Sequence, residues 1–115
     1  MSMEAELIRS LIRRPATLLY PFKRRPLIEG LRGKHTWDSE RCIGCGLCAR
    51  DCPAFAIEMI GTGPTAELKV DLGECIFCGQ CEEGCPREAI KLTEFYELAD
   101  PKRKNLILEF KRESV

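Results

Sequence analysis

The chain has 115 residues, enough for one small domain with tails and too few for two independent cores. Eighteen Lys and Arg balance eighteen Asp and Glu, so the basic excess that marks a nucleic-acid binder is missing. Uncharged runs reach only about eight residues, against the roughly 18 that a bilayer span requires, and the N-terminus alternates charge with Leu and Ile; neither a transmembrane span nor a secretion signal is predicted.

Met3 to Arg14 reads as a helix. Leu7, Ile8, Leu11 and Ile12 make an apolar stripe, with Arg9, Arg13 and Arg14 beside it and toward the end where the helix dipole favours cations. Pro15 ends it. Leu18, Leu19, Tyr20 and Phe22 come next as an apolar strip among Pro15, Pro21 and Pro26. So short an arm cannot bury its own stripe, and residues 1–34 are expected to dock on a partner protein or a membrane surface. Strands are predicted near Thr36–Glu40, Ala56–Ile60, Glu67–Asp71 and Ala89–Thr93, and short helices over Ala49–Cys52 and Glu82–Cys85, with a turn at Gly61-Thr62-Gly63-Pro64. Asp100-Pro101 resembles an N-cap with Pro at N1, which predicts a helix over Lys102–Arg112 burying Leu106, Ile107 and Phe110. The expected organisation is a docking arm (1–34), a central domain (35–93) and a partly helical tail (94–115). The neutral total hides an arm of net +5 and a stretch 42–93 of net −4. His35, near a strand start, reads as a surface residue. No Ser–His–Asp grouping, P-loop or G-x-G-x-x-G is present, so no catalytic residue is expected and no standard NAD or flavin site.

Eight cysteines decide the rest. They stand at 42, 45, 48 and 52, and again at 75, 78, 81 and 85, each group reading C-x2-C-x2-C-x3-C-P and closing on Pro53 or Pro86. Laid over each other with an offset of 33, Arg41–Ile60 and Glu74–Thr93 agree at nine of twenty positions, which is an internal duplication. Disulfides would need an oxidising compartment, for which no signal is seen. Two structural zincs would also use eight thiolates, but the third cysteine and the C-P ending are surplus to that design. The run is the bacterial iron–sulfur pattern, in which the fourth cysteine ligates the other cluster of a two-cluster protein. By that rule two [4Fe–4S] clusters are expected, one on Cys42, Cys45, Cys48 and Cys85, the other on Cys75, Cys78, Cys81 and Cys52. Gly44, Gly46 and Gly79 suit loops that wrap a cluster, and Ile43 and Ile76 are expected to shield the clusters or pack in the core. The fold class is then α+β, a bacterial-type two-[4Fe–4S] ferredoxin-like fold with pseudo-two-fold βαβ repeats, plus the arm and a C-terminal helix. A core this small depends on its metal for stability.

The stretch Leu19-Tyr20-Pro21-Phe22-Lys23-Arg24-Arg25-Pro26, then Leu31-Arg32-Gly33-Lys34-His35, resembles the arm before the first cluster in the complex I iron–sulfur subunit family. Cys75-Ile76-Phe77-Cys78-Gly79-Gln80-Cys81-Glu82-Glu83 with Phe95-Tyr96-Glu97-Leu98-Ala99 is similar to the same family, including the matching subunit of formate hydrogenlyase and of group 4 membrane-bound [NiFe] hydrogenases. The resemblance runs from about residue 16 to 112. It implies a non-catalytic electron-relay subunit of a membrane-bound oxidoreductase, passing electrons from ferredoxin or a neighbouring subunit to a cluster-bearing catalytic subunit. It also implies a peripheral position on the cytoplasmic side of the membrane, held by partner subunits. The compact chain leans toward the hydrogenase-like or sulfur-reducing relatives; a quinone-reducing complex I subunit and a free soluble ferredoxin are the alternatives. One Asn (Asn105) and one Gln (Gln80) beside 31% charged residues match a thermophile's composition.

Overall fold

A computed structural model describes residues 3–112; residues 1, 2 and 113–115, the outer ends of the expected arm and tail, lie outside the described residues. Helix α1 (Met3–Ile12) carries the apolar stripe foreseen for it, and none of its side chains is buried. Leu11 is 87% exposed and Ile12 80%, so the stripe does not fold back on the core. The projecting arm accounts for the shape: the radius of gyration is 20.1 Å and the long axis 67 Å, where a compact chain of this length would have a radius of about 13 Å.

The central domain is built from short antiparallel pairs. β1 (His35–Trp37) pairs with β4 (Ile90–Leu92), with Trp37 opposite Ile90. β2 (Ile57–Ile60) pairs with β3 (Glu67–Asp71), joined through the Gly61–Pro64 turn. The strands flanking each cysteine run therefore do not pair with one another. The chain's first strand closes on the last strand of the duplicated region, so no parallel crossover forms. Strand β3 alternates by the period of two: Leu68 and Val70 face inward, Glu67, Lys69 and Asp71 outward. With Ile57, Leu72, Ile90, Cys52 and Cys81 they form the core.

The first strand ends at Trp37 and not at the expected Glu40, and the short helices and the tail also need correction. The short helices are α2 (Leu47–Arg50) and α3 (Gln80–Glu83), two residues earlier than predicted. Each begins directly after a left-handed glycine, Gly46 at φ 74° and Gly79 at φ 81°, which turns the chain so that the glycine's own carbonyl accepts the first helical bond, from the Arg50 and Glu83 N–H groups, each at 3.0 Å. Cys48 and Cys81 consequently sit inside the helices, and Cys52 and Cys85 lie beyond their C-terminal ends. The third correction concerns the tail. Asp100 does cap a turn: its carboxylate accepts from the Lys102 N–H at 2.7 Å and from Asn105 Nδ2 at 2.9 Å, and these bonds hold its pKa below the usual carboxylate value. The turn is only a 3-10 segment, Arg103–Leu106, after which β5 (Ile107–Phe110) adds to the free edge of β3. The Ile-Leu-x-Phe run suits a strand, and β3 offered unpaired backbone groups that a helix could not satisfy.

Backbone details repeat with the offset of 33. Asp38 and Asp71 each accept the N–H of the residue two ahead, Glu40 at 2.9 Å and Gly73 at 2.8 Å. Their carbonyls each receive the N–H of the first cysteine of a run, Cys42 at 3.2 Å and Cys75 at 3.1 Å. Gly44 and Phe77 share a positive φ, as do Phe55 and Glu88.

Candidate iron–sulfur centres

Each loop between the first strand of a half and its short helix presents two cysteines, the helix itself presents a third, and the chain returns a fourth from the other half. One cavity is lined by Cys42, Cys45, Cys48 and Cys85, with Trp37, Met59 and Ile90 among its apolar walls. The other is lined by Cys52, Cys75, Cys78 and Cys81, with His35, Ala54 and Ile57. All eight are free thiols. Backbone N–H groups already point at sulfur: Gly44 to Cys42 Sγ and Phe77 to Cys75 Sγ, both at 3.4 Å, and Ala89 to Cys85 Sγ at 3.3 Å. Burial, reinforced by the neighbouring cysteines, pushes the thiols of Cys48 and Cys81 up to about 11, and that of Cys75 upward. Four soft donors lining one chamber, apolar walls and N–H groups on sulfur suit the donor set of a [4Fe–4S] cluster in each chamber.

Ile43 and Ile76 line the two cavities but remain 52% and 65% exposed, so they sit at the rims and not in the core. His35 is the clear departure from the sequence reading. It is 1% exposed, not a surface residue; its Nε2 lies 3.8 Å from Cys75 Sγ and its ring packs on Phe77 at 5.9 Å between centroids. It is buried because β1 pairs with β4, which places its ring over the second cavity.

Two arginines from outside the cysteine runs also hold the loops. Arg32 donates through Nη1 to the Cys78 carbonyl and pairs with Glu83 at 3.4 Å. Arg112 donates to the carbonyls of Cys42 and Pro64 and lies over the Trp37 ring, 5.8 Å from its centroid. Gly33 is fixed by close approach: an added Cβ would lie 2.1 Å from the Phe95 carbonyl oxygen. The backbone here is a short ladder, Gly33 N–H to Thr93 O at 2.7 Å and Lys34 N–H to Phe95 O at 2.8 Å. Tyr20 donates to Glu97 at 2.7 Å, and Arg24 pairs with the same carboxylate at 2.8 Å. The Arg-Gly-x-His and Tyr-Pro elements thus contain the residues that fasten the second half of the arm beside the second cavity.

A family model described as a 4Fe-4S dicluster domain matches residues 41–94. NADH-quinone oxidoreductase subunit I 1 of Symbiobacterium thermophilum is 40% identical over 122 aligned positions, which cover 91% of this chain and 75% of that protein. F(420)H(2) dehydrogenase subunit I of Methanosarcina mazei is 48% identical over 44 residues, 38% of this chain and 25% of that one. Among solved structures, a chain of the membrane-bound sulfane sulfur reductase, an archaeal respiratory membrane complex, superposes with a TM-score of 0.69 at 33% identity. That match covers 90% of this chain and 57% of the reductase chain, so this chain spans little more than half of its structural relative. A doubled cysteine pattern, two four-thiol chambers, the dicluster match and a relative aligned over 91% of this chain and 75% of its own length agree: the chain belongs to the complex I-type iron–sulfur subunit family and carries a dicluster domain for two [4Fe–4S] clusters.

Proposed function

We propose that Cys42, Cys45, Cys48 and Cys85 hold one cluster and Cys75, Cys78, Cys81 and Cys52 the other, in two pseudo-two-fold halves that exchange their fourth ligand. The observation that carries this reading is the division of the eight thiols into two chambers, each with three cysteines of one run and the last of the other. The clusters supply one-electron redox chemistry, and the chain relays electrons within a complex I-related membrane-bound oxidoreductase. Its own residues do the rest. The thiolates fix the iron, the apolar walls exclude water, and N–H groups on sulfur set the potentials.

The donor is ferredoxin or a neighbouring subunit, and the acceptor is a cluster-bearing catalytic subunit on the cytoplasmic side of the membrane. No helix among the described residues is long and apolar enough to cross a membrane, and the exposed stripe of α1, flanked by Arg9, Arg13 and Arg14, serves as the docking element. The likeness to the sulfane sulfur reductase chain supports a sulfur-reducing or hydrogenase-type complex. A second reading, a quinone-reducing complex, is favoured by the 40% identity to an NADH-quinone oxidoreductase subunit.

Serine substitutions test the ligand exchange. After reduction, Cys85→Ser and Cys45→Ser should perturb the same electron paramagnetic resonance signal, and Cys52→Ser the other, in company with Cys78→Ser. If Cys52→Ser instead altered the signal of Cys45→Ser, each run would hold its own cluster and the exchange would be wrong.

A further inference from the structure

One buried position differs in kind between the duplicated halves. The offset of 33 that relates Asp38 to Asp71 relates His35 to Leu68. Both are 1% exposed, so the same interior position holds an apolar side chain in one half and an imidazole in the other. Burying an imidazole costs free energy unless its polar atoms find partners. Its Nε2 has one neighbour of the right kind, Cys75 Sγ at 3.8 Å, and its Nδ1 has none.

A cysteine on iron is a thiolate and can only accept. The ring then gains by carrying its proton on Nε2, where it donates to sulfur. The other tautomer would leave an orphaned buried donor on Nδ1 and set two acceptors face to face, which is the costlier arrangement. Phe77, packed on the ring, and the backbone pairing of His35 with Leu92 fix the ring's position. Among the described residues, the only other N–H directed at Cys75 Sγ is that of Phe77, at 3.4 Å, which matches the Gly44 contact on Cys42. The imidazole is thus an additional donor with no counterpart at Leu68.

We propose that His35 is a positioning residue for the second cluster, donating Nε2–H to the Cys75 thiolate and raising the reduction potential of that cluster above the value its half would otherwise set. Hydrogen bonds to cluster sulfur withdraw electron density and favour the reduced, more negative state. The two centres, alike in ligands, become unequal, and that inequality gives the relay a direction. The inference rests on the assignment of Cys75 to the second cluster.

The full chain, anaerobically loaded, supplies the test, because it contains a single histidine. With 15N-histidine, pulsed paramagnetic resonance should show nitrogen coupling on one of the two reduced clusters, the one perturbed by Cys78→Ser. In a potentiometric titration, His35→Leu, the residue the other half uses, should lower the reduced-to-oxidised ratio of that cluster about tenfold at fixed potential, about 59 mV for one electron. The other cluster should not move, and His35→Gln, which keeps an N–H donor, should recover part of the loss. Unchanged midpoints in a fully loaded His35→Leu chain would overturn the proposal. So would absence of nitrogen coupling in the unaltered chain, which decides the matter even if the leucine variant fails to load. An unaltered chain that bound no iron would instead overturn the cluster reading itself.

Discussion

As the proposed iron ligands, Cys48 and Cys81 would each have to lose a proton, yet burial holds both thiols near 11, above the ordinary value of 9.0. Cluster insertion therefore releases protons and is favoured by rising pH. The iron-free fold behaves oppositely. Thiols raised in the folded state contribute stability that is complete below about pH 9 and is lost as pH climbs toward about 11. Denaturation midpoints of the iron-free chain should fall over that window, and a midpoint that rises would show that the thiols are not held neutral. At Gly33 a methyl group has no room beside the Phe95 carbonyl. Gly33→Ala should cost about 1–3 kcal/mol, the usual range for overpacking, seen as a lower temperature for loss of the cluster absorbance. The cysteines are legible in the sequence because their spacing is local and repeated. The contacts of His35, Arg32 and Arg112 are not, since their partners on the cysteine loops lie 40, 46 and 70 residues away. The Arg-Gly-x-His element stands out by resemblance alone; its contacts are set by tertiary packing.

Among the elements, α1 and β3 mark the extremes. Leu68 in β3 is 1% exposed and Leu11 in α1 is 87% exposed. Leu68→Ala should cost about 2–5 kcal/mol, whereas Leu11→Ala should stay within about 0.5 kcal/mol; equal effects in thermal unfolding would mean that α1 packs on the domain in solution. The strands of the duplicated region can be read from alternation, and β3 falls on its predicted residues. The helix starts cannot be placed to the residue, because a glycine's sign of φ is invisible until the loop closes. Strand β5 escapes sequence reasoning for a related cause. Asp100-Pro101 encodes a local turn correctly, but pairing with the edge of β3, more than thirty residues upstream, decides the conformation of Ile107–Phe110.

For the molecule as a whole, the arm divides into a fastened part and a projecting part. Tyr20, Arg24, Arg32 and Gly33 tie the chain to Glu97, Cys78 and Thr93, while α1 stands clear. Deleting residues 1–14 should therefore spare both clusters but release the subunit from its membrane complex, read as a shift from membrane to soluble fractions. Retention in the membrane fraction would place docking elsewhere. Charge does not follow that division: of the arm's net +5, the fastened residues 15–34 carry +4 and residues 1–14 only +1, set against a centre of −4, so the fastened part and the centre suit partners of opposite sign and association should weaken with salt. Iron and acid-labile sulfide, assayed on anaerobically prepared full-length chain, test the central claim most directly. About eight of each per molecule are expected for two [4Fe–4S] clusters. A content near four, or zinc in place of iron, would contradict it.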